Sequence, residues 1–215
     1  MDYRNVVNHI LELNKTNCVV AIDLETLIDT PADFLTGERI IAISLSFLDE
    51  NGIKTEVLVA RDESKEEEDR ILQDFDRRMG ELDPAIIIGY NHSGYDVPLI
   101  RIKMNRRGYS KQLWNLKRIL SVCYLLDMMY VIADDLYAFD GDYRLRKLSD
   151  VVIHPGYEAL KLQRSKYLTK REGMPVNKAI ELMWREEPDN FREYCSGDTR
   201  DLISIFYFIF RRMMP

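Results

Sequence analysis

Four acids and one tyrosine in this sequence have the types and spacing to do chemistry together. Asp23 and Glu25 stand in AIDLET (21–26), Asp96 in GYNHSGYDVPLI (89–100), and Tyr194 and Asp198 in EYCSGD (193–198). Alternation along a strand turns Asp23 and Glu25 to one face, where two like charges repel and lose solvation beside an apolar run. Each acid also has a plain structural use. The D-x-E pair can be the solvated end of a strand. Asp96, ahead of Val97-Pro98, suits a helix N-cap, and Asp198 has Arg192 and Arg200 within reach. Taken together, they could converge on two divalent cations, for which carboxylate oxygens suit Mg²⁺ or Mn²⁺. Such a pair, about 3.5–4 Å apart, activates an attacking water and neutralises a departing oxygen in phosphoryl transfer. Tyr194 and Asp198, four residues apart, share one helix face. A phenol with a free pKa near ~10 is suited to orienting that water rather than deprotonating it.

The elements that must position these groups are legible in outline. CVVAID (18–23) is a short apolar strand, and 39–50 and 54–60 form two more around Asn51-Gly52, a hairpin signal. The acidic start and spaced Ile71, Leu72, Phe75 and Met79 of 63–82 predict an amphipathic helix. AIIIGY (85–90) is a further strand and 91–94 a turn. Helices are expected over 97–107, ending at Gly108, over 144–152, over 176–187, and from Pro188 onward. The stretch 110–140 has no clear period. Two hairpin strands followed by alternating helices and strands predict an α/β sheet with an antiparallel member, in a single domain over 1–215.

Composition bounds the rest. The chain has 215 residues, 46% hydrophobic and 31% charged, which suits a globular domain with a substantial core. A net charge of −6 argues against coating nucleic acid by bulk electrostatics. No signal-peptide pattern and no apolar run near ~20 residues is present, so no membrane role is expected. Cys18, Cys123 and Cys195 lack metal or disulfide spacing, so free thiols in a reducing cytoplasm are expected.

The three acidic segments resemble the three exonuclease motifs of the DEDD superfamily of 3′–5′ exonucleases, in its tyrosine-bearing branch. AIDLET resembles the first motif, YNHSGYDVPLI the second in the form found in proofreading domains of B-family DNA polymerases, and YCSGD the third. YRLRKLSDVV (143–152) is similar to the helix preceding the third motif. The resemblance spans 23–198 and implies an RNase H-like α/β fold, a central mixed sheet flanked by helices. It implies Asp23, Glu25, Asp96 and Asp198 as ligands of two Mg²⁺ or Mn²⁺ ions and Tyr194 as the water-orienting residue. Thr26, Leu27, Asn91 and Tyr95 would contact the substrate, with Thr26 and Leu27 beside the terminal nucleotide. Gly197, directly before Asp198, departs from the pattern and costs about 1 kcal/mol of helix propensity.

The implied substrate is DNA with a single-stranded 3′ end, with RNA, as in ribonuclease D-like members, or a silent binding module as alternatives. Two basic stretches could track its phosphates. One holds Arg101, Lys103, Arg106, Arg107, Lys111, Lys117 and Arg118. The other holds Arg144, Arg146, Lys147, Lys161, Arg164, Lys166, Lys170 and Arg171, with Tyr143, Tyr157 and Tyr167 as stacking platforms. The acidic block 62–69 should face away from nucleic acid. No polymerase domain is expected within the chain, so it is expected either to act alone or to serve a replication or repair protein in trans. LISIFYFIF (202–210) reads as a buried helix in a monomer rather than an interface.

Overall fold

The first acid pair lies inside a longer strand than the apolar run alone suggests. In the computed structural model, which describes residues 2–14, 18–28, 34–35, 37–105, 113–163 and 165–211, strand β1 runs Val19–Leu27. Pairing is the reason. β2 (Arg39–Asp49) lies antiparallel along β1 and sets Asp23 opposite Ser44 and Glu25 opposite Ala42, so ladder bonds extend the strand past its apolar residues. The register shifts between Glu25 and Thr26, a bulge that re-aims the strand next to its second acid. β3 (Gly52–Val59) returns through the expected hairpin, one residue out of place: Glu50 and Asn51 make the turn, and Gly52 supplies the positive φ of 117°.

β4 (Ile86–Gly89) and β5 (Tyr124–Asp127) continue the sheet parallel to β1, giving the order β3-β2-β1-β4-β5. Helices α1 (Tyr3–Leu13), α2 (Lys65–Leu82) and α3 (Asp96–Asn105) precede α4 (Trp114–Val122) and α5 (Met128–Asp140). The aperiodic stretch 110–140 therefore contains a strand of four residues wedged between two helices, too short to show a period. The expected end of α3 at Gly108 lies outside the described residues.

One expected helix is mostly absent. Of 144–152 only α6 (Leu148–Val151) forms. The Tyr90 hydroxyl donates to the Arg146 carbonyl, and the Arg146 guanidinium turns back onto Asp140, so the backbone before Lys147 is tied to neighbours other than a helix of its own. α7 (Val176–Glu186) and α8 (Pro188–Arg211) follow as expected.

The sheet carries a packed layer on each face. Val20, Ile22 and Leu24 gather with Ile71, Phe75, Leu99 and Leu116 from α2, α3 and α4. Val19 and Ala21 gather with Val131, Ile132, Leu202, Ile203, Phe206 and Phe210 from α5 and α8. The apolar run 202–210 is thus interior, with Ile203, Ile205, Phe206 and Phe210 fully buried. Ser46 anchors α8 to the sheet, donating to Thr199 Oγ1 at 2.9 Å and bonding Thr55 at 2.7 Å. Among the described residues no helix is long and apolar enough to cross a membrane, and Cys18, Cys123 and Cys195 are free.

Two residues placed at the surface by their sequence context are inside. Lys103, assigned to a basic track, is 2% exposed, and Glu68, in the acidic block, is 8% exposed. They form an ion pair; Lys103 also donates to the Glu38 carbonyl, and Glu68 accepts the Ile40 N–H at 2.8 Å. Removing one partner of such a pair strands a buried charge. Glu68→Ala should cost about 3–5 kcal/mol in urea unfolding, while replacing both residues with Lys103→Met and Glu68→Leu should recover most of it.

Candidate functional site

β1 and α8 bring three of the four sequence-predicted acids together. One carboxylate oxygen each from Asp23, Glu25 and Asp198 lies within 4.8 Å of the others. Glu25 and Asp198 are buried, and Asp23 is partly so. On one cation with metal–oxygen bonds of about 2.1 Å, opposed ligands stand about 4.2 Å apart, so a small inward shift completes the set. Hard oxygen donors of this kind fit Mg²⁺ or Mn²⁺. Gly197 is accommodated within α8 and does not displace Asp198 from the cluster.

Asp96 sits beside the three rather than among them. It opens α3, and its Oδ1 accepts the N–H of Leu24, the residue between Asp23 and Glu25, at 3.0 Å. The carboxylate is thus spent on the neighbouring strand as well as on its own helix start. Burial pushes its carboxyl up to about 6, against the lowering effect of the Leu24 bond.

Tyr194 is buried on α8, one turn before Asp198. It lines a cleft of about 710 Å³ together with Tyr90, Asn91, Lys147, Lys170 and Met174. Asn91 takes the left-handed conformation, φ 59°, as the turn demands. Thr26 and Leu27 open instead onto a smaller polar cavity of about 250 Å³, with Arg39, Lys178 and Arg185 in its walls. Tyr95 faces Thr26, hydroxyl to hydroxyl at 2.7 Å, and its ring stacks on exposed Phe34 at 5.7 Å.

The basic tracks are largely spoken for. Arg118 pairs with Asp83, Arg146 with Asp140 and Arg171 with Glu187, while Arg101 reaches the Leu120 carbonyl. Tyr157 is core, its hydroxyl on Asp135, and is no stacking platform. None of the described residues of the first basic stretch lines the cleft; the second supplies Arg146, Lys147, Lys170 and Arg171. Tyr143 and Tyr167 are exposed. Arg106, Arg107, Lys111, Arg164 and the Lys166 side chain lie outside the described residues.

Two residues matter here that sequence reasoning passed over. Glu38 is 1% exposed and accepts hydrogen bonds from Thr26 and Tyr95. Asp127 closes β5 and accepts the N–H groups of Asn91, Ser93 and Met129 and the Ser93 hydroxyl, which fixes the turn leading to Asp96. The only signal for Asp127 was an acid after three apolar residues in YLLD; Glu38 had none. Burial raises the Asp127 carboxyl, but His92, Ser93 and Met129 outweigh it and hold it at about 2. His92 Nδ1 stands 3.7 Å away, beyond hydrogen-bond reach, so we assign most of that lowering to the Ser93 and backbone donors.

No protein-family model matches the chain, and no curated protein does. Among solved structures it is similar to the family B DNA polymerase from the hyperthermophilic archaeon Pyrobaculum calidifontis, at 18% identity and a TM-score of 0.62. The match covers 89% of this chain and 24% of that one, so the chain spans about a quarter of the polymerase's length. At this identity the likeness concerns the fold, and it agrees with the RNase H-like α/β architecture that the motif order implied.

Asp127 generates a pH test. Its folded value lies below the ordinary carboxyl near ~3.9, so its contribution to stability is present above about pH 4 and lost as pH falls toward 2. Asp127→Asn should lower stability by about 1 kcal/mol at pH 7, and the gap to the parent protein should close in melts run down to pH 2.

Proposed function

We propose that this chain is a metal-dependent 3′–5′ exonuclease that hydrolyses phosphodiester bonds from the single-stranded 3′ end of DNA. The observation that carries the proposal is the approach of Asp23, Glu25 and Asp198 to within 4.8 Å, with Tyr194 one turn before Asp198 on the same helix. Three acids so placed have little structural reason to meet, because their charges repel.

Two Mg²⁺ or Mn²⁺ ions would supply charge neutralisation at the leaving oxygen and activation of the attacking water. The residues of this chain do the rest. Asp23, Glu25 and Asp198 hold the cations, and Asp96, tied to Leu24 between the first two, completes the acidic set. Tyr194 orients the water through its hydroxyl. Asn91, Lys147 and Lys170 line the cleft through which a strand would enter, its phosphates met by the two lysines. Thr26 and Leu27 would lie beside the terminal nucleotide, and Tyr95, bonded to Thr26, would contact it from the same side. The likeness to a DNA polymerase favours DNA over RNA; on this reading the chain works as a monomer, alone or for a replication or repair partner in trans.

Digestion of 3′-labelled single-stranded DNA, duplex DNA and RNA with Mg²⁺, Mn²⁺ or EDTA tests this. Asp23→Ala and Asp198→Ala should abolish cleavage and leave the fold intact or more stable without metal, since like-charge repulsion is relieved. Tyr194→Phe should be slower by roughly 10²–10⁴-fold yet still bind Mn²⁺. A full-rate Asp198→Ala enzyme would overturn the assignment, and a full-rate but destabilised Tyr194→Phe enzyme would make the tyrosine structural.

A further inference from the structure

Glu38 lies outside all three acidic motifs, yet it is the most enclosed carboxylate near the site, at 1% exposure. Its Oε2 accepts from Thr26 Oγ1 at 3.0 Å and from the Tyr95 hydroxyl, while Oε1 accepts the Leu35 N–H at 2.9 Å. Thr26 and Tyr95 also bond one another at 2.7 Å. The three side chains therefore close a triangle of contacts, in which the two hydroxyl protons make two hydrogen bonds at a time. Thr26 follows Glu25 directly, at the bulge in the β1–β2 ladder, and Tyr95 directly precedes Asp96. The far end of the same helix returns to the same segment, because Lys103 donates to the Glu38 carbonyl and pairs with Glu68, which holds the Ile40 N–H.

We propose that Glu38 is a positioning residue: through Thr26 and Tyr95 it fixes the spacing between the strand that carries Glu25 and the helix that begins at Asp96. Without it, the bulged end of β1 and the start of α3 still meet through the Thr26–Tyr95 and Asp96–Leu24 bonds, but the first pair loses the buried acceptor that sets the direction of its hydroxyls. A buried acid serving only to pair a charge would need a cation, whereas the Glu38 carboxylate is satisfied by two hydroxyls and one N–H, a geometry that connects elements. Residues that orient ligating groups from behind typically change metal affinity 10–100-fold when lost. The inference rests on the acids being a metal site, as proposed above, but not on the substrate.

The test is Mn²⁺ binding to the full chain, followed by the resonance of free Mn²⁺, together with melting temperature and 3′-labelled DNA cleavage. Glu38→Ala should weaken Mn²⁺ binding roughly 10–100-fold. Glu38→Gln should stay within about threefold, because its oxygen can accept the Leu35 N–H while its amide donates to both hydroxyls. A core variant of similar melting temperature, Ile132→Ala, should bind Mn²⁺ normally, separating position from stability. If Glu38→Ala does not fold, Tyr95→Phe removes the hydroxyl that meets both Glu38 and Thr26 and should weaken binding several-fold. Unchanged affinity in folded Glu38→Ala or in Tyr95→Phe overturns the proposal, as does a Gln variant as weak as Ala. If the parent protein binds Mn²⁺ but cuts no nucleic acid, the exonuclease reading falls and the Mn²⁺ affinities still decide Glu38. If it binds no Mn²⁺ in a manner sensitive to Asp198→Ala, both fall.

Discussion

The structure depends on holding three carboxylates where their charges oppose one another. Two unit charges 4.8 Å apart repel by about 3–4 kcal/mol at an effective dielectric of ~20, and three make three such pairs. A domain is stable by only about 5–15 kcal/mol, so this cluster without a cation is a large local debt. It can persist only if other interactions fix β1 and α8 regardless of what the acids prefer. The fold is organised accordingly. Asp23 and Glu25 sit in the middle of the sheet, paired on one side along β2, and Asp198 sits on a 24-residue helix whose second half buries Leu202, Ile203, Ile205, Phe206, Ile209 and Phe210.

Apolar burial alone would not set the register of that helix, since a hydrophobic face tolerates sliding by a turn. Polar contacts do. The Ser46–Thr199 bond lies one residue from Asp198 and joins it to β2, the strand that also pairs with the two β1 acids. Asp127 performs the same service for the turn before Asp96, and the Glu38 triangle for the bulge after Glu25. Each is a buried or half-buried polar group with several satisfied partners, the condition under which a network specifies one arrangement instead of weakening the core.

How much of this was legible in the sequence follows from what each feature requires. The catalytic candidates were visible because chemistry admits few residue types: D-x-E, N-x-x-x-Y-D and Y-x-x-x-D tolerate little replacement, and their order was enough. The strands 39–50 and 54–60 and the helices around Phe75 and Phe206 were visible through period and length. β5 was not, because four residues between two helices carry no period, and the 144–152 helix was over-read because Tyr90, distant in sequence, and Asp140, just upstream of the segment, take up the Arg146 groups. Lys103 and Glu68 looked like surface charges for the same reason, and nothing in the sequence singled out Glu38. A charged residue declares its burial only through partners that the linear sequence does not show.

The same distinction reshapes the view of how this acidic protein would meet a polyanion. Counting bases along the chain suggested two broad tracks, but Arg118, Arg146 and Arg171 each hold a carboxylate, and Lys103 is interior. An arginine committed to a fixed ion pair still lends shape to a cleft, yet its net field at a distance is largely cancelled. What is left at the large cleft is a short exposed lysine edge, Lys147 and Lys170, on the cleft that Tyr194 also lines. Two phosphate contacts on a single strand give an affinity that falls only gently with salt, with a slope of about −1.4 in logarithmic terms. That suits an enzyme that must let go after each step: the cations at the acids, rather than a basic surface, would supply most of the attraction at the bond to be broken.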